Sequence, residues 1–401
     1  MLIVFNWSVN SFGAFCLMSE SKFEHHELKL VEPSFGSKLT DLIIELEHLR
    51  KKRLGGTTNA RVFFQLKHIF HTLESVGSAR IEGNNTTITE YIETKIDQTE
   101  PAPPNIKEIQ NIEETMSFIE EHIGNVPINR IFISEVHKMI VDGLEPPPQG
   151  EGDQTPGEYR SRNVKIARSM HRPPDISTVS QYMEELFTFI SQKDSAKHDL
   201  LKIAIAHHRF VWIHPFTNGN GRTVRLFTYA MLVKLGFNVS AGRILNPTAI
   251  FCNNRDNYYH NLSLADQGTN EGLLIWCEYV LKGLKEEIEK IDKLLDYEYL
   301  QKEILLPTIN HSTERQYITE SESKILKRVI DKQVIQASDL TDLFSGKVGS
   351  EISRQIRKLI EKKMLMPESE GKRKYVIRFD NNYLLRGIIK SLGEKDFLPV
   401  K

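Results

Sequence analysis

The stretch that decides the fold is IHPFTNGNGRTVR, residues 213–225. The helical pattern before it is predicted to end at Ile213, because Pro215 disfavours a helical conformation in the residue that precedes it. Gly219 and Gly221 then allow a turn that points several backbone amides the same way, and a new helix begins directly after it. Amides at a helix N-terminus lack partners inside the helix and lie at the positive end of its dipole. The stretch therefore predicts an anion site that suits phosphates.

Three side chains around this turn fit phosphate chemistry. Arg222 and Arg225 are three residues apart, so they share a face of the new helix and both can reach toward an anion at its start. His214 lies at the mouth of the loop, and a side-chain pKa near neutrality lets it take a proton from an incoming hydroxyl. Each of these features alone is usually structural. Their conjunction within one short segment indicates a functional site.

The segment resembles the core motif of the Fic/Doc family, His-Pro-Phe-x-[Asp/Glu]-Gly-Asn-Gly-Arg-x-x-Arg, at every fixed position except one. The resemblance implies the Fic fold, a helical core with a β-hairpin flap over the active site. It also implies transfer of AMP from ATP to a Tyr, Ser or Thr hydroxyl, with His214 as the general base and Arg225 near the γ-phosphate. The nucleotide contacts that the resemblance implies are Gly219, Asn220, Gly221, Arg222, Thr223, Val224 and Arg225.

The one departure from the motif is Asn218, where the family typically has Asp or Glu. In the family that acid holds the Mg²⁺ that bridges the phosphates, so Asn218 is the candidate metal residue here. An amide offers a carbonyl oxygen without charge, whereas Mg²⁺ prefers anionic oxygens and water. The sequence therefore predicts ATP as substrate with weakened Mg²⁺ binding, unless the metal is held mainly by ATP itself.

Two further segments are similar to segments of the family. The stretch 157–166, with a short alternating run at 163–167, resembles the flap hairpin, and an exposed edge there could register a target segment by strand addition. The stretch 255–259 resembles the segment that lines the adenine pocket. Asn257 and Tyr258 are therefore candidate nucleotide contacts, although a tyrosine pair is otherwise typical of a core.

A short motif near the N-terminus predicts self-inhibition. Ser78, Glu82 and Gly83 match the family's inhibitory pattern [Ser/Thr]-x-x-x-Glu-[Gly/Asn] and stand at the end of a predicted helix. In the class of Fic proteins that inhibit themselves in cis, this glutamate pairs with the second arginine of the core motif. The resemblance therefore implies that Glu82 pairs with Arg225 and blocks it.

Composition excludes several other classes of function. The net charge of −1 gives no global field that would attract nucleic acid or an anionic membrane. Cys16, Cys252 and Cys277 are too few and too scattered for a disulfide framework or a zinc site, which fits a reducing cytoplasm. Residues 1–17 are apolar but lack a basic region and are interrupted by polar residues, so they predict neither a signal peptide nor a span. We expect a cytoplasmic protein without a membrane partner, in which translation begins at Met18 or the first residues form a disordered tail.

The rest of the sequence predicts a mostly α protein in three parts. Apolar residues at three-and-four spacing predict helices over 38–52, 61–78, 106–123, 128–141, 178–191, 198–213, 223–235 and 273–297. The parts are an N-terminal segment with the inhibitory helix (1–105), the Fic core (106–300) and a C-terminal domain (313–401).

The C-terminal part is predicted to be a winged helix-turn-helix. Helical patterns at 322–331, 337–343 and 350–362 lead into two short strands around a charged turn, which is typical of that motif. Its third helix and turn carry basic residues that could contact DNA phosphates, diluted by glutamates. These residues are Arg354, Arg357, Lys358, Lys362, Lys363, Lys372, Arg373 and Lys374, with Glu351, Glu361, Glu368 and Glu370 among them. Winged helices also dock proteins, so DNA and protein both stay open as partners.

These observations predict a protein adenylyltransferase that is inhibited by its own Glu82 and modifies a hydroxyl of a target protein or of itself. The alternatives are removal of AMP with Glu82 positioning water, transfer of another phosphate-containing group, and a transcription regulator that only senses nucleotide. The target protein and the oligomeric state are left open, and an oligomer is compatible with the sequence.

Overall fold

The computed structural model describes residues 23–51, 56–97, 101–166, 169–237, 244–344 and 349–398. Within these ranges the chain is mostly helical, as predicted. The question of where translation begins, and with it residues 1–17 and Cys16, lies outside the described residues. The described α-helices are α1 (Lys38–Lys51), α2 (Ala60–Glu82), α3 (Ile88–Asp97), α4 (Pro104–His122), α5 (Arg130–Val141), α6 (Ile176–Ser191), α7 (Asp199–Ile213), α8 (Asn220–Leu235), α9 (Pro247–Cys252), α10 (Arg255–Ala265), α11 (Asn270–Asp292), α12 (Tyr297–Leu300), α13 (Leu306–Glu314), α14 (Glu320–Lys332), α15 (Gly349–Glu361) and α16 (Leu384–Glu394).

The helices α7 and α8 form the centre of the molecule. They pack on each other, α6 and α11 contact α7, and α2, α4 and α5 contact α8. Nearly every residue of α7 is buried, including His207, His208 and Arg209. A helix that is buried on all sides belongs in the middle of a domain, which is why α7 is apolar around most of its surface. The loop between α7 and α8 is the quoted stretch, so the fold places that turn at the end of its central pair.

Helix α2 carries the N-terminal part of the chain into the same site. It begins where the side chain of Asn59 accepts a hydrogen bond from the backbone of Arg61 at 2.9 Å. It ends at Gly83, whose φ of 111° lies in the left-handed region that favours glycine. Because α2 packs on α4, α8 and α9, its last turn lies beside the first turn of α8. The end of this helix therefore carries Glu82 to the glycine-rich turn.

The C-terminal part packs on the opposite end of α2. The side chain of Gln65 donates to the backbone oxygen of Ile377 at 2.9 Å and accepts from the backbone amide of Phe379 at 2.8 Å. Arg386 on α16 forms an ion pair with Glu93 on α3. The elements here follow the predicted order: α14, a 3₁₀ helix Ala337–Phe344, α15, and strands β1 (Leu365–Pro367) and β2 (Tyr375–Ile377). The strands pair antiparallel, and the assignment of a winged helix-turn-helix stays a prediction.

The predicted flap hairpin differs from the structure. Residues 163–166 form no strand, and positions 167 and 168 lie outside the described residues. The physical reason is the buried side chain of Arg160, which bonds to loop carbonyls on several sides. It donates to the backbone oxygens of Arg162 at 3.0 Å and Pro174 at 2.5 Å. These bonds fold the described part of the segment into turns and take the place of a strand ladder.

No helix in the described part of the chain is long and apolar enough to cross a membrane.

Candidate active site around the glycine-rich turn

The turn between α7 and α8 is fixed by its own residues. Gly219 precedes α8 with φ 73°, a left-handed conformation that favours glycine. The side chain of Asn220 closes the turn, because it accepts from the amide of Phe216 at 2.9 Å and donates to its oxygen at 2.8 Å. Thr223 donates its hydroxyl to the oxygen of Gly219 at 2.8 Å. These contacts fix the backbone at the start of α8, where helix-terminal amides suit an anion.

Two of the predicted nucleotide contacts serve the fold through their side chains. Thr223 and Val224 are fully buried, and the hydroxyl of Thr223 faces back into the turn. The backbone amide of Thr223 is bonded to Gly219 at 2.9 Å. The amides of Asn220 and Gly221 lie at the helix start, before the regular hydrogen bonds begin. The structure thus places the candidate anion contacts at the turn and the two following side chains in the core.

His214 stands at the end of α7 in an unusual backbone conformation. Its φ of 53° and ψ of 61° are left-handed, which is uncommon for a residue with a side chain. Two bonds hold it there: its amide donates to Phe210 at 3.0 Å, and its oxygen accepts from Nε of Arg160 at 2.9 Å. The amide of Arg160 also donates to Pro215 at 2.8 Å. Arg160 therefore ties residues 157–166 to the loop that carries His214.

The surroundings of His214 keep its imidazole neutral at physiological pH. Burial is the main cause, and the positive charge of Arg160 adds to it, so that the pKa of His214 is lowered to about 4. A neutral imidazole has a free lone pair. The sequence predicted a pKa near neutrality, and burial places it lower, so the imidazole is unprotonated at neutral pH while its role as general base stays a prediction.

Arg225 and Glu82 meet as the inhibitory motif predicts. The guanidinium of Arg225 is buried and lies 2.8 Å from Oε1 of Glu82. It also donates from Nε to the hydroxyl of Ser78 at 2.8 Å and from a terminal nitrogen to the oxygen of Ser78 at 3.0 Å. Burial alone would raise the pKa of Glu82, but the charge of Arg225 outweighs it and holds that pKa below its usual value. The two side chains therefore form a charged pair at the end of α2.

The carboxylate of Glu82 also lies directly on the glycine-rich turn. A β-carbon added to Gly221 would fall 2.1 Å from Oε1 of Glu82 and 3.2 Å from the Arg225 guanidinium. A side chain at position 221 would therefore collide with Glu82. A carboxylate belonging to the protein therefore lies beside the first turn of α8, where backbone amides suit an anion.

The first arginine of the motif, Arg222, makes contacts that its position in the sequence did not predict. Its side chain is fully buried and lies 3.0 Å from Oε1 of Glu108 on α4. It also donates to the backbone oxygen of Glu151 at 2.6 Å. The expected contact of Arg222 with an anion stays a prediction, and in this structure Glu108 and the 151 loop occupy its guanidinium. Arg222 instead fastens that loop to the start of α8.

Asn218 faces the same loop. Its amide nitrogen donates to the oxygen of Gly152 at 3.1 Å and approaches Oε2 of Glu151 at 3.4 Å. Its backbone amide donates to Asp153 at 3.0 Å. Within the described ranges, no three His, Cys, Asp or Glu side chains form a group that could hold a metal ion.

The predicted adenine contacts lie close to Arg225 but differ in exposure. Tyr258 is buried and packs on Phe251 and other rings. Its hydroxyl forms a hydrogen bond of 3.0 Å with Nε2 of His207. The ring of Tyr258 is thus part of the core, which is the alternative that the sequence left open for this tyrosine. Asn257 is exposed on the first turn of α10, beside Arg255, whose charge acts on Glu82. The exposed end of α10 therefore borders the site while Tyr258 supports it.

Several residues at this site gave no signal in the sequence. Glu108 and Glu151 lie far from the motif along the chain and match no pattern of their own, and Arg160 was noticed only as part of the predicted flap hairpin. His137 is another: it stacks on Phe216 with ring centres 3.8 Å apart and bonds to the oxygen of Asn218 at 3.1 Å. Only the tertiary fold brings such residues to the turn.

Comparison with known proteins agrees with the geometry. Residues 127–232 match the Fic/DOC family. The chain is 29% identical over 219 residues to the protein adenylyltransferase Fic of Drosophila sechellia, covering 53% of this chain and 40% of that protein. The Drosophila virilis protein of the same name is 31% identical over 213 residues, with 51% and 38% covered. The aligned region thus spans about 40% of the length of such curated relatives.

The fold extends this likeness beyond the matched segment. A crystal structure of a Fic family protein from Desulfovibrio desulfuricans superposes with a TM-score of 0.53 at 19% identity. The superposition covers 86% of this chain and 97% of the chain in that crystal structure. At this identity the likeness concerns the fold alone. The chain therefore carries a Fic/DOC family domain at residues 127–232, set in a mostly helical Fic fold.

Proposed function

We propose that this protein is an adenylyltransferase that moves AMP from ATP to a hydroxyl of a target protein or of itself. One observation carries the proposal: the carboxylate of Glu82 lies on the glycine-rich turn and pairs with Arg225. It supports an anion site at this place, because the same amides and the same arginine would serve a phosphate. The curated relatives that bear the name protein adenylyltransferase support the same reaction.

The arrangement suggests a role for each group in the transfer. The target hydroxyl gives its proton to the neutral imidazole of His214 while its oxygen attacks the α-phosphorus of ATP. The bond between the α-phosphorus and the bridging oxygen breaks, and pyrophosphate leaves. The amides at the start of α8 stabilise negative charge on the phosphates, and Arg225, once released from Glu82, neutralises the phosphate tail. Asn257 on the exposed end of α10 is proposed to border the base.

Divalent metal would supply charge neutralisation between the phosphates. At position 218 the fit is poor, because the amide nitrogen of Asn218 is turned toward Gly152 and Glu151. The nearest carboxylate that is exposed belongs to Glu151. The proposed function therefore includes ATP as substrate and leaves the cation to be held by groups other than Asn218.

Glu82 is proposed to keep the enzyme inactive. While Glu82 holds Arg225, the guanidinium cannot serve the γ-phosphate, and the carboxylate places negative charge where ATP must place its own. Ser78 and Gly83 support this state: Ser78 accepts two bonds from Arg225, and Gly83 ends α2 directly after Glu82. A buried arginine pairs with a planar carboxylate more effectively than a lysine would, so the inhibitory pair depends on an arginine at position 225 and a carboxylate at position 82.

Intact-mass analysis tests the proposed reaction. The Glu82→Gly variant, incubated with ATP alone and with a cell lysate, should gain the mass of AMP on itself or on a captured protein. A gain of the mass of phosphate or of another group would favour the alternative transfer. Loss of AMP from a pre-modified protein, without any gain, would favour removal of AMP. No change in mass with ATP bound would favour a nucleotide sensor.

DNA binding by residues 313–401 stays a prediction that one observation supports. Arg354, Arg357 and Lys358 are exposed on α15, while Ile352, Ile356 and Leu359 on its other face are buried. Against this, Lys358 lies 3.4 Å and Lys362 2.6 Å from Glu322, which dilutes the charge.

If this face binds duplex DNA, the affinity of the full chain should fall steeply with salt, by about one log-log slope unit per phosphate neutralised. Arg354→Ala combined with Arg357→Ala should reduce that slope by about two units. The measurement is fluorescence anisotropy with a labelled duplex at several salt concentrations. Absence of binding at low salt would assign the face to protein docking.

A further inference from the structure

A cavity of about 690 Å³ opens beside the phosphate site and carries only negative charge. Its wall includes the carboxylates of Glu82, Glu90, Glu108, Glu145 and Glu151, and no Lys, Arg or His is among the residues that line it. A bare triphosphate would be repelled here, since like charges at short range in a partly buried site are unfavourable. The cavity therefore suits a cation that enters with the phosphates.

Most of these carboxylates are already committed to other groups. Glu82 pairs with Arg225, and Glu90 accepts from the amide and hydroxyl of Thr87. Glu108 accepts from the side chain of Asn84 at 2.7 Å and faces Arg222 with its other oxygen. That second oxygen makes no hydrogen bond within the described part of the chain, although it is buried. That oxygen lies 3.0 Å from Arg222, so Glu108 is committed to this ion pair at the base of the cavity.

Glu151 is held at the rim of this cavity by its backbone. A β-carbon on Gly150 would lie 2.6 Å from the oxygen of Glu145, and one on Gly152 would lie 2.1 Å from the oxygen of Leu144. The loop can therefore close this tightly only with glycine on both sides of Glu151. Arg222 fixes the apex by donating to the backbone oxygen of Glu151 at 2.6 Å. The backbone of Glu151 is therefore fixed next to the glycine-rich turn.

The side chain of Glu151 is free to move while its backbone is fixed. It is 47% exposed, and its Oε2 makes only long contacts, 3.5 Å to Arg222 and 3.4 Å to the amide nitrogen of Asn218. Asp153, the other acid of this loop, is buried and accepts from the amides of Asn218 and Thr155. Of the two acids that contact Asn218, Glu151 alone can turn toward a ligand.

We propose that Glu151 supplies the carboxylate for the divalent cation that accompanies the triphosphate, in place of the acid that Asn218 lacks. The proposal rests on the proposed nucleotide site. Mg²⁺ in such sites takes one or two carboxylates, phosphate oxygens and waters, and Glu151 provides one anionic oxygen beside the glycine-rich turn. Asn218 then acts as a positioning residue, because its amide nitrogen lies toward Glu151.

The test measures cation binding directly. In the Glu82→Gly protein saturated with ADP, which the reaction does not consume, Mn²⁺ affinity is read by electron paramagnetic resonance. Glu151→Gln should weaken Mn²⁺ binding by about tenfold or more, as removal of a metal-site carboxylate typically does. Asn218→Asp added to Glu151→Gln should restore most of that loss, because it returns an acid to the same place.

Glu145→Gln is the matched control, since it removes an equal charge from the wall of the same cavity. It should change Mn²⁺ affinity much less than Glu151→Gln. Unchanged Mn²⁺ affinity in Glu151→Gln with ADP still bound would overturn the role of Glu151 and leave the nucleotide site intact. An equal loss in Glu145→Gln would show that only the overall charge matters, which also overturns it. Failure of every variant to bind ADP would overturn the nucleotide site together with this proposal.

Discussion

Replacement of Glu82 by Gly should raise self-modification strongly. The change removes the carboxylate that lies on Gly221 and frees Arg225, which is 2.8 Å from it. ATP can then place its phosphates on the turn without repulsion from Glu82. Each 1.4 kcal/mol of relieved repulsion corresponds to about tenfold in rate, and we expect a gain on the order of tenfold or more. The measurement is the initial rate of AMP incorporation into the protein at fixed ATP concentration.

Two variants separate the charge of Glu82 from its place in the helix. Glu82→Gln keeps the shape of the side chain and removes its charge, so it should activate as well, whereas a purely structural residue would tolerate this change without effect. Arg225→Ala should be inactive with or without Glu82, because it removes the guanidinium for which Glu82 and the γ-phosphate compete. An unchanged rate in Glu82→Gly, with the helical circular dichroism signal intact, would contradict self-inhibition and leave the transferase proposal standing.

Replacement of His214 by Ala in the activated protein should abolish transfer. Loss of a general base typically lowers the rate by about 10²–10⁴-fold. Nucleotide binding should stay largely intact, since His214 acts on the target hydroxyl while the turn and Arg225 hold the phosphates. The measurement pairs the rate of AMP incorporation with ADP affinity by calorimetry. Transfer at the parent rate would contradict the role of His214.

The pH dependence gives a second measure of the same residue. Burial and the charge of Arg160 lower the pKa of His214 to about 4. The imidazole is then neutral, and able to accept a proton, well below neutral pH. We expect the rate of the activated protein to hold from neutrality down to about pH 5 and to fall at lower pH. If the rate already falls to half at about pH 6.5, the ordinary pKa of a histidine, the surrounding protein does not lower the pKa of His214 and this expectation is contradicted.

The local parts of the site could be predicted from the sequence because they lie within one short segment. Pro215 and the two glycines encode a helix end, a turn and a new helix start, and the structure has α7 ending at Ile213 and α8 beginning at Asn220. The helix end and the turn are encoded within one segment, so they survive folding with little change. The contact of Glu82 with Arg225 was expected only from the resemblance to the Fic/Doc family, and the structure has the two side chains 2.8 Å apart.

The parts that could not be predicted depend on contacts between distant segments. Arg160 was expected in a flap hairpin, but its buried side chain bonds to the loop and to His214, which no local pattern encodes. Arg222 was expected to reach toward an anion at the start of α8, and no local pattern indicated that its guanidinium would pair with Glu108 on α4. Helix α16 also went unpredicted, although its buried face packs on α13. A single sequence does not record which distant side chain will meet a buried charge.

The most direct test of the proposed reaction follows the label of ATP into protein. The Glu82→Gly protein is incubated with ATP labelled at the α-phosphorus and, in parallel, with ATP labelled at the γ-phosphorus, each with His214→Ala in the same background as control. Transfer of AMP predicts that protein acquires the α label, that it acquires no γ label, and that His214→Ala abolishes the signal. Incorporation of the γ label, or α label that persists in His214→Ala, would contradict the account.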